Sequence, residues 1–370
     1  MEKEAAEFLE KGKRCLRQGD PAAAEKNFRL VLRLDASCQD ALTGLGDALE
    51  NEGDFTRARQ IYEQALRSVQ GEPEKAYVVR RRLAMVSLIE GNYLDAADML
   101  RRGSGIGSDY ESQVLLSKIY LRAGHAQDAV RILELMLSRW PGHQAELIWR
   151  TACIQAAFLG KESRGLHMVK NLYRTDPDRL EYIEIYMYFL AVHRRDFIRI
   201  NRISRDVPGL YRGGYYGGDI LIPFELRTHF NERRIALNIY RYVMQAKWQL
   251  GMREEAARLL HNLDYRLGVD ADRTRSGVSD RNRFLYIYGC CRLYGGDTGR
   301  AMSTFREMLQ NYRCRCCSWR ECYKAWLGMG LVRLERGDAD GAFPCFQKAL
   351  DINPVNALCR YYGKVKRNRL

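Results

Sequence analysis

The same pattern of small and large residues around a glycine recurs along most of this 370-residue chain. Two segments show it most clearly: FLEKGKRCLRQGDPAAAEKNFRLVLRLD, which begins at Phe8, and WLGMGLVRLERGDADGAFPCFQKALDINP, which begins at Trp326. In both, a large residue is followed four positions later by a small one, then by Gly-Asp, by alanine and by an aromatic residue. Repetition with a period of about 20 to 50 residues indicates an architecture of stacked helical or strand units.

The recurrent glycine defines the register of the repeat, and its first two occurrences are 34 residues apart. Its eight positions are Gly19, Gly53, Gly91, Gly124, Gly160, Gly251, Gly296 and Gly337. Seven residues earlier, where two helices are expected to approach each other, stand Gly12, Gly46, Ala84, Ser117, Cys153, Met244, Gly289 and Gly330. Nine residues after each glycine, the expected core positions are Phe28, Tyr62, Leu100, Leu133, Val169, Leu260, Phe305 and Phe346.

This pattern resembles the tetratricopeptide repeat, a helix–turn–helix unit of about 34 residues. The resemblance covers nearly the whole chain. It implies an all-α fold: a right-handed superhelical solenoid of about eight to nine helix pairs with a C-terminal capping helix. A degenerate pair is expected at 180–206, turning near Arg195. We expect an N-terminal array at 1–178, a degenerate repeat with a Gly/Tyr-rich insertion at 179–235 and a C-terminal array at 236–370, all within one continuous solenoid.

The intervals between glycines predict three inserted loops, at 207–226, at 270–283 and at 313–319. The last begins the stretch RCRCCSWREC, which contains Cys314, Cys316, Cys317 and Cys322. Zinc sites favour paired C-x2-C knuckles, which this stretch lacks, so no metal is expected. Neighbouring arginines would favour the thiolate form, so a thiol switch is one interpretation and a thiol-rich connector is the other.

The insertion YRGGYYGGD offers three interpretations. Its glycines suit a tight connector, because glycine readily adopts positive φ. Alternatively Arg212, Tyr215 and Tyr216 contact a partner protein, or they stack on nucleic-acid bases.

The family resemblance implies that the first helix of each pair lines a concave groove for a partner. The groove residues expected from this register are Lys13, Arg81, Met85, Lys118, Arg150, Ile154, Arg241, Gln245, Trp248 and Tyr286. The second repeat differs, with Asp40, Asp47 and Glu50 at the corresponding face. Apolar walls with spaced guanidinium groups suit a peptide that carries apolar and acidic residues. In the alternative interpretation, tight winding buries this face within the protein.

Composition narrows the function class further. The net charge of +14 favours acidic partners. The six histidines are dispersed and no catalytic, metal or cofactor motif is present, so we predict a protein that is not an enzyme and has no cofactor. No signal peptide or transmembrane segment is expected, and the mostly single cysteines indicate a reducing, cytoplasmic location. The prediction is a protein–protein interaction scaffold or adaptor of unknown oligomeric state. The alternative is a basic helical-repeat protein associated with RNA.

Overall fold

The structure, a computed structural model, describes residues 2–69, 71–102, 109–206, 230–267, 278–310 and 321–364. Within these ranges there are nineteen α-helices and no strand, so the expected all-α repeat architecture is confirmed. The chain forms two compact units: unit 1 extends to Met136, and unit 2 begins at Leu137. The three-segment division expected from the sequence stays a prediction.

The helices alternate with short turns in both units. The helices that begin in unit 1 are α1 (Glu2–Gln18), α2 (Pro21–Leu34), α3 (Gln39–Glu52), α4 (Phe55–Ser68), α5 (Pro73–Glu90), α6 (Tyr93–Arg101), α7 (Tyr110–Arg122) and α8 (Ala126–Arg139). Unit 2 contains α9 (Gln144–Ala157), α10 (Glu162–Thr175), α11 (Leu180–Phe189), α12 (Phe197–Asp206), α13 (Phe230–Gln249), α14 (Arg253–Leu267), α15 (Val278–Tyr294), α16 (Thr298–Gln310), α17 (Tyr323–Glu335), α18 (Ala339–Ile352) and α19 (Ala357–Lys364).

The turn of each of the eight pairs in register contains the recurrent glycine, which is followed by aspartate in four of them. All eight register glycines have positive φ, from 65° at Gly160 to 90° at Gly296, a conformation that residues with a Cβ adopt only with strain. The aspartate that follows caps the second helix: Asp20 Oδ1 accepts a hydrogen bond of 3.0 Å from the N–H of Ala23. Asp54, Asp297 and Asp338 cap their helices in the same way. In these four turns the Gly-Asp dipeptide therefore ends one helix and begins the next.

The degenerate pair expected at 180–206 is also present, with α11 and α12 joined by the π-helical turn Leu190–Arg194. Its turn occupies the predicted place, and Arg195 stands where the other pairs have glycine. Among the described residues other than glycine, Arg195 alone has a positive φ, of 51°. Its guanidinium donates a hydrogen bond of 2.7 Å to the hydroxyl of Tyr361 in α19. Arg195 thus combines a left-handed backbone conformation with a side-chain hydrogen bond to α19.

Arg195 permits a test that separates backbone strain from side-chain contact. Arg195→Ala keeps a Cβ in the left-handed conformation, whereas Arg195→Gly does not, and both variants lose the bond to Tyr361. We expect the glycine variant to be more stable than the alanine variant by about 1 kcal/mol, the typical cost of this conformation. Urea unfolding of the two variants measures the difference. Equal stabilities would mean that the turn carries no strain.

Close contacts between small and aromatic residues hold the pairs together. A Cβ added to Gly12 would lie 2.7 Å from the ring of Phe28, and one added to Gly330 would lie 2.5 Å from the ring of Phe346. Both rings are fully buried. The register predicted close helix approach at these glycines and large core residues at these rings, and the structure brings the two into contact.

Successive pairs stack on one another within each unit. In unit 1, α2 packs on α3, α4 on α5 and α6 on α7. In unit 2 the first helices contact in series, α9 with α11, α11 with α13, α13 with α15 and α15 with α17. The C-terminal helix α19 packs on α18 and also contacts the π-helical turn after α11. The expected capping helix is therefore present over Ala357–Lys364.

One loop boundary was wrong. Residues 278–283 were expected at the end of a polar loop, but they form the first turns of α15. The remainder of the three expected insertions lies outside the described residues. The repeat resumes at Tyr323, as predicted, where α17 begins.

Candidate partner-binding site

In unit 1 the expected groove positions carry charges that neighbouring repeats partly neutralise. Lys13 Nζ lies 3.0 Å from an oxygen of Asp40 and 3.5 Å from one of Glu10. The hydrogen bond to Asp40 raises the pKa of Lys13. Because these pairs are exposed to solvent, each contributes only a fraction of a kcal/mol and can exchange for a partner's carboxylate.

The later first helices of unit 1 present a more open surface. The Arg81 side chain is 39% exposed and its guanidinium lies 3.8 Å from a carboxylate oxygen of Asp109, a loose pair. Met85, one helical turn after Arg81, is half-buried against the core shared by α5, α6 and α7. Lys118 on α7 is exposed. Cations and a flexible apolar side chain thus lie on the first helices of two successive pairs.

The acidic second repeat builds an internal network rather than an open surface. The Arg82 guanidinium donates two hydrogen bonds to Asp47, of 2.7 and 2.9 Å. The Tyr62 hydroxyl lies 2.7 Å from an oxygen of Asp47 and 2.8 Å from one of Glu50. Burial raises the pKa of Tyr62, so the phenol keeps its proton. Asp47 and Glu50 are therefore engaged with Tyr62 inside the protein.

In unit 2 the expected groove residues range from half-buried to buried. Arg150 donates a hydrogen bond of 2.9 Å to Glu146, one turn before it on α9. Ile154 is only 6% exposed. The indole N–H of Trp248 donates to Glu335 across 2.9 Å, and the Arg253 guanidinium lies 4.9 Å from the centre of the Trp248 ring. These side chains are held in place by partners within unit 2.

Arg241 and Tyr286 are buried, with 8% and 7% of their surface exposed. The Arg241 guanidinium lies over two tyrosine rings, 4.3 Å from the centre of Tyr242 and 5.5 Å from that of Tyr286. The sequence register placed both on the first helices correctly, but it gave no sign of their burial. Burial depends on aromatic side chains supplied by neighbouring helices, which a single-repeat register does not contain.

Unit 2 contains a cavity of about 290 Å³. Gln245, one turn after Arg241, lines it together with Leu293, Leu331 and Glu335. Tyr361 of α19 and Arg195 form another part of its wall. Leucine side chains form part of the cavity wall, but most of its accessible lining is polar.

The proposed loop contacts Arg212, Tyr215 and Tyr216 lie outside the described residues, as do Cys314, Cys316 and Cys317. Cys322 is described: it precedes α17, is 2% exposed and forms no disulfide. Burial also raises the pKa of Cys359 to about 12, so this thiol is a weak nucleophile. The thiol switch stays a prediction.

The described ranges contain neither a metal-binding cluster nor a membrane-spanning helix. There, no group of three or more His, Cys, Asp or Glu side chains could hold a metal ion. No helix in the same ranges is both long and apolar enough to cross a membrane.

Comparisons with known proteins identify the repeat. The family model described as tetratricopeptide repeat matches residues 9–73 and 289–357. No curated protein matches the chain in sequence. Among solved structures, the MamA protein has 17% identity and a TM-score of 0.41, with 49% of this chain and 97% of that chain covered.

Two other solved structures are similar at the same low level. The P58(IPK) TPR domain has 14% identity and a TM-score of 0.28, covering 99% of this chain and 97% of its own. YrrB, described as a TPR protein with an unusual peptide-binding site, has 15% identity and a TM-score of 0.35. The match covers 49% of this chain and 92% of YrrB. Such values carry no information about function. The family model thus identifies residues 9–73 and 289–357 as tetratricopeptide repeats, and further helix pairs with a glycine turn lie between these two segments.

Proposed function

We propose that this protein is a non-enzymatic scaffold that binds a partner protein through the first helices of its repeats. Stacked helical repeats form extended surfaces that suit protein partners. The observation that carries the proposal is that Arg81 and Met85 on α5 and Lys118 on α7, the first helices of two successive pairs in unit 1, are half-buried or exposed. A half-buried methionine one turn from Arg81, with a further exposed cation on the next first helix, suits a peptide with apolar anchors and acidic residues.

Charge supports the acidic character of the partner. The net charge of +14 attracts acidic surfaces at long range and accelerates their association. Arg81 makes only a loose contact with Asp109, so a partner's carboxylate can replace that contact at little cost. The proposal therefore assigns Arg81 and Lys118 to carboxylates and Met85 to an apolar side chain.

Affinity capture from the native host, with and without nuclease, tests the proposal. We expect a protein partner that persists after nuclease treatment. The Arg81→Glu/Lys118→Glu double variant should bind it about 5- to 30-fold more weakly, as expected for the loss of two accessible charge contacts. The matched control is Arg29→Glu/Arg131→Glu, which reverses two cations on the second helices α2 and α8.

The outcomes separate the two candidate functions. Equal weakening by the control pair would show a general charge effect and would contradict the assigned surface. Loss of all partners after nuclease would favour the RNA-associated alternative, for which a steep dependence of binding on salt is expected.

A further inference from the structure

The C-terminal helix α19 contacts both the last and the first helix pairs of unit 2. On one side it packs on α18. On the other side the hydroxyl of Tyr361 accepts a hydrogen bond of 2.7 Å from Arg195, which lies 166 residues earlier in the chain. The Arg360 guanidinium lies 4.1 Å from the centre of the ring of Phe158, directly after α9. The helix α19 therefore joins the last pair of unit 2 to its first two pairs.

The same helix also covers part of the first helices between these contacts. Leu358, Tyr361 and Tyr362 of α19 line the cavity of about 290 Å³ together with residues of α13, α15 and α17. One of these residues is Gln245 on α13, which the sequence register assigned to the groove. The Cys359 side chain is fully buried in the core of unit 2. Thus α19 occupies part of the face that the register assigned to a partner.

The contacts that hold α19 against the first pairs of unit 2 are weak. Arg195 and Tyr361 are both exposed, so their hydrogen bond competes with water. The helix has eight residues, too few to be stable without packing. The cavity shows that α19 covers the first helices without filling the space beside them, so part of this face gains no packing from α19. A partner that packs closely on this face therefore competes well with α19.

The turn that supplies Arg195 differs from the other turns in two ways. It contains the π-helical segment Leu190–Arg194, and Arg195 has a positive φ where the eight pairs in register have glycine. Glycine would relieve the backbone strain, but it would also remove the guanidinium that binds Tyr361. Strained residues and π-helical turns often occur where a protein binds a ligand or changes conformation. The contact with α19 accounts for the irregular turn.

We propose that α19 is an autoinhibitory segment, which occupies the first-helix face of unit 2 and is displaced when the partner protein binds there. This inference rests on the proposed scaffold function and adds its regulation. On opening, the contacts of α19 with the π-helical turn and with the end of α9 break, while the helix pairs stay folded. The partner's apparent affinity is reduced while α19 is closed, so any change that opens α19 strengthens binding.

Cys359 reports the opening of α19 in the full chain without knowledge of the partner. Its thiol is fully buried while α19 is closed, so its modification by N-ethylmaleimide in native buffer measures how often α19 opens. Mass spectrometry quantifies each cysteine separately. We expect Cys359 to react faster than Cys345, which is buried in α18 and belongs to a pair that stays folded. If both thiols react only at the rate at which the whole unit unfolds, α19 does not open by itself and the proposal is wrong.

Two variants weaken the closed state through different contacts. Tyr361→Phe removes the hydrogen bond from Arg195 and should increase the rate of Cys359 modification about 2- to 10-fold, the usual worth of one hydrogen bond. Arg360→Gln removes the guanidinium from the Phe158 ring and should increase the rate about 2- to 5-fold. Neither substitution changes a fully buried side chain, so both variants are expected to fold.

Tyr182→Phe is the matched control, because it removes the same chemistry from another part of unit 2. Arg179 donates a hydrogen bond of 3.1 Å to the Tyr182 hydroxyl, and its guanidinium lies 4.6 Å from the centre of that ring. The control should leave the rate of Cys359 modification unchanged. An equal increase in the control, or no increase in either α19 variant, would contradict the assigned contacts.

Partner binding tests the regulation and separates it from the scaffold function. Tyr361→Phe should strengthen binding of the captured partner by the same factor by which it accelerates Cys359 modification, because both depend on the fraction of open molecules. Adding the partner to the unmodified chain should also accelerate Cys359 modification, since the partner displaces α19. If a partner is captured but neither change is seen, the scaffold stands and α19 is only a structural cap. If no protein partner is captured, the scaffold function is wrong, and the inference falls with it even where the Cys359 rates show that α19 opens.

Discussion

The Gly46→Leu variant should lose about 3 kcal/mol of the free energy of unfolding, at the upper end of the usual cost of overpacking a core. A Cβ at position 46 would lie within 3 Å of the Tyr62 ring, closer than real Cβ atoms approach. The ring cannot move aside easily, because Tyr62 is fully buried and its hydroxyl is fixed by Asp47 and Glu50. Urea unfolding of the full chain measures the loss, and hydrogen exchange should locate it in α3 and α4.

Gly19→Leu is the matched control, because it makes the same substitution at a glycine of a different kind. Gly19 has φ 78°, and nothing lies within 4 Å of an added Cβ. Its replacement should cost only the left-handed backbone conformation, about 1 to 2 kcal/mol. If Gly46→Leu costs no more than Gly19→Leu, close helix packing is not the reason for glycine at position 46.

The sequence predicted the contacts that lie within one helix pair. The register predicted close helix approach at Gly46 and Gly330 and large core residues at Tyr62 and Phe346, and the structure places each glycine against the ring of its own pair. It did not predict that Gly44 of the next pair also lies against Phe28, where an added Cβ would meet the ring at 2.5 Å. A register that treats one repeat at a time contains no information about the packing between repeats.

The same limit explains what could not be predicted about the candidate site. The register placed Arg241 and Tyr286 on first helices, and both lie there. It gave no indication that Lys324, two first helices after Arg241, would share the Tyr286 ring. Nor did it indicate that Arg82 would neutralise Asp47 of the preceding repeat. Contacts between repeats therefore decide which charges remain available to a partner.

Arg82→Met should destabilise unit 1 by about 2 to 3 kcal/mol, because it leaves the Asp47 carboxylate without its cation. Breaking a fully buried ion pair usually costs about 3 to 5 kcal/mol, and partial exposure reduces the cost here. The side chains of Arg82 and Asp47 are 28% and 19% exposed. Methionine keeps most of the apolar stem of arginine, so the variant removes charge and hydrogen bonds more than packing. Urea unfolding gives the change in stability.

A double-mutant cycle with Asp47→Ala isolates the pair from the rest of the network. Asp47→Ala also removes the carboxylate that accepts from Tyr62, but Glu50 still lies 2.8 Å from that hydroxyl. With Asp47 absent, Arg82→Met should cost much less, giving a coupling energy above about 1 kcal/mol. The exposed pair of Arg29 with Glu25, one turn apart on α2, is the comparison, and Arg29→Met should cost under about 0.5 kcal/mol. Additive losses in the Arg82–Asp47 cycle would show that the two charges are stabilised independently, and that the acidic second repeat does not need its arginine.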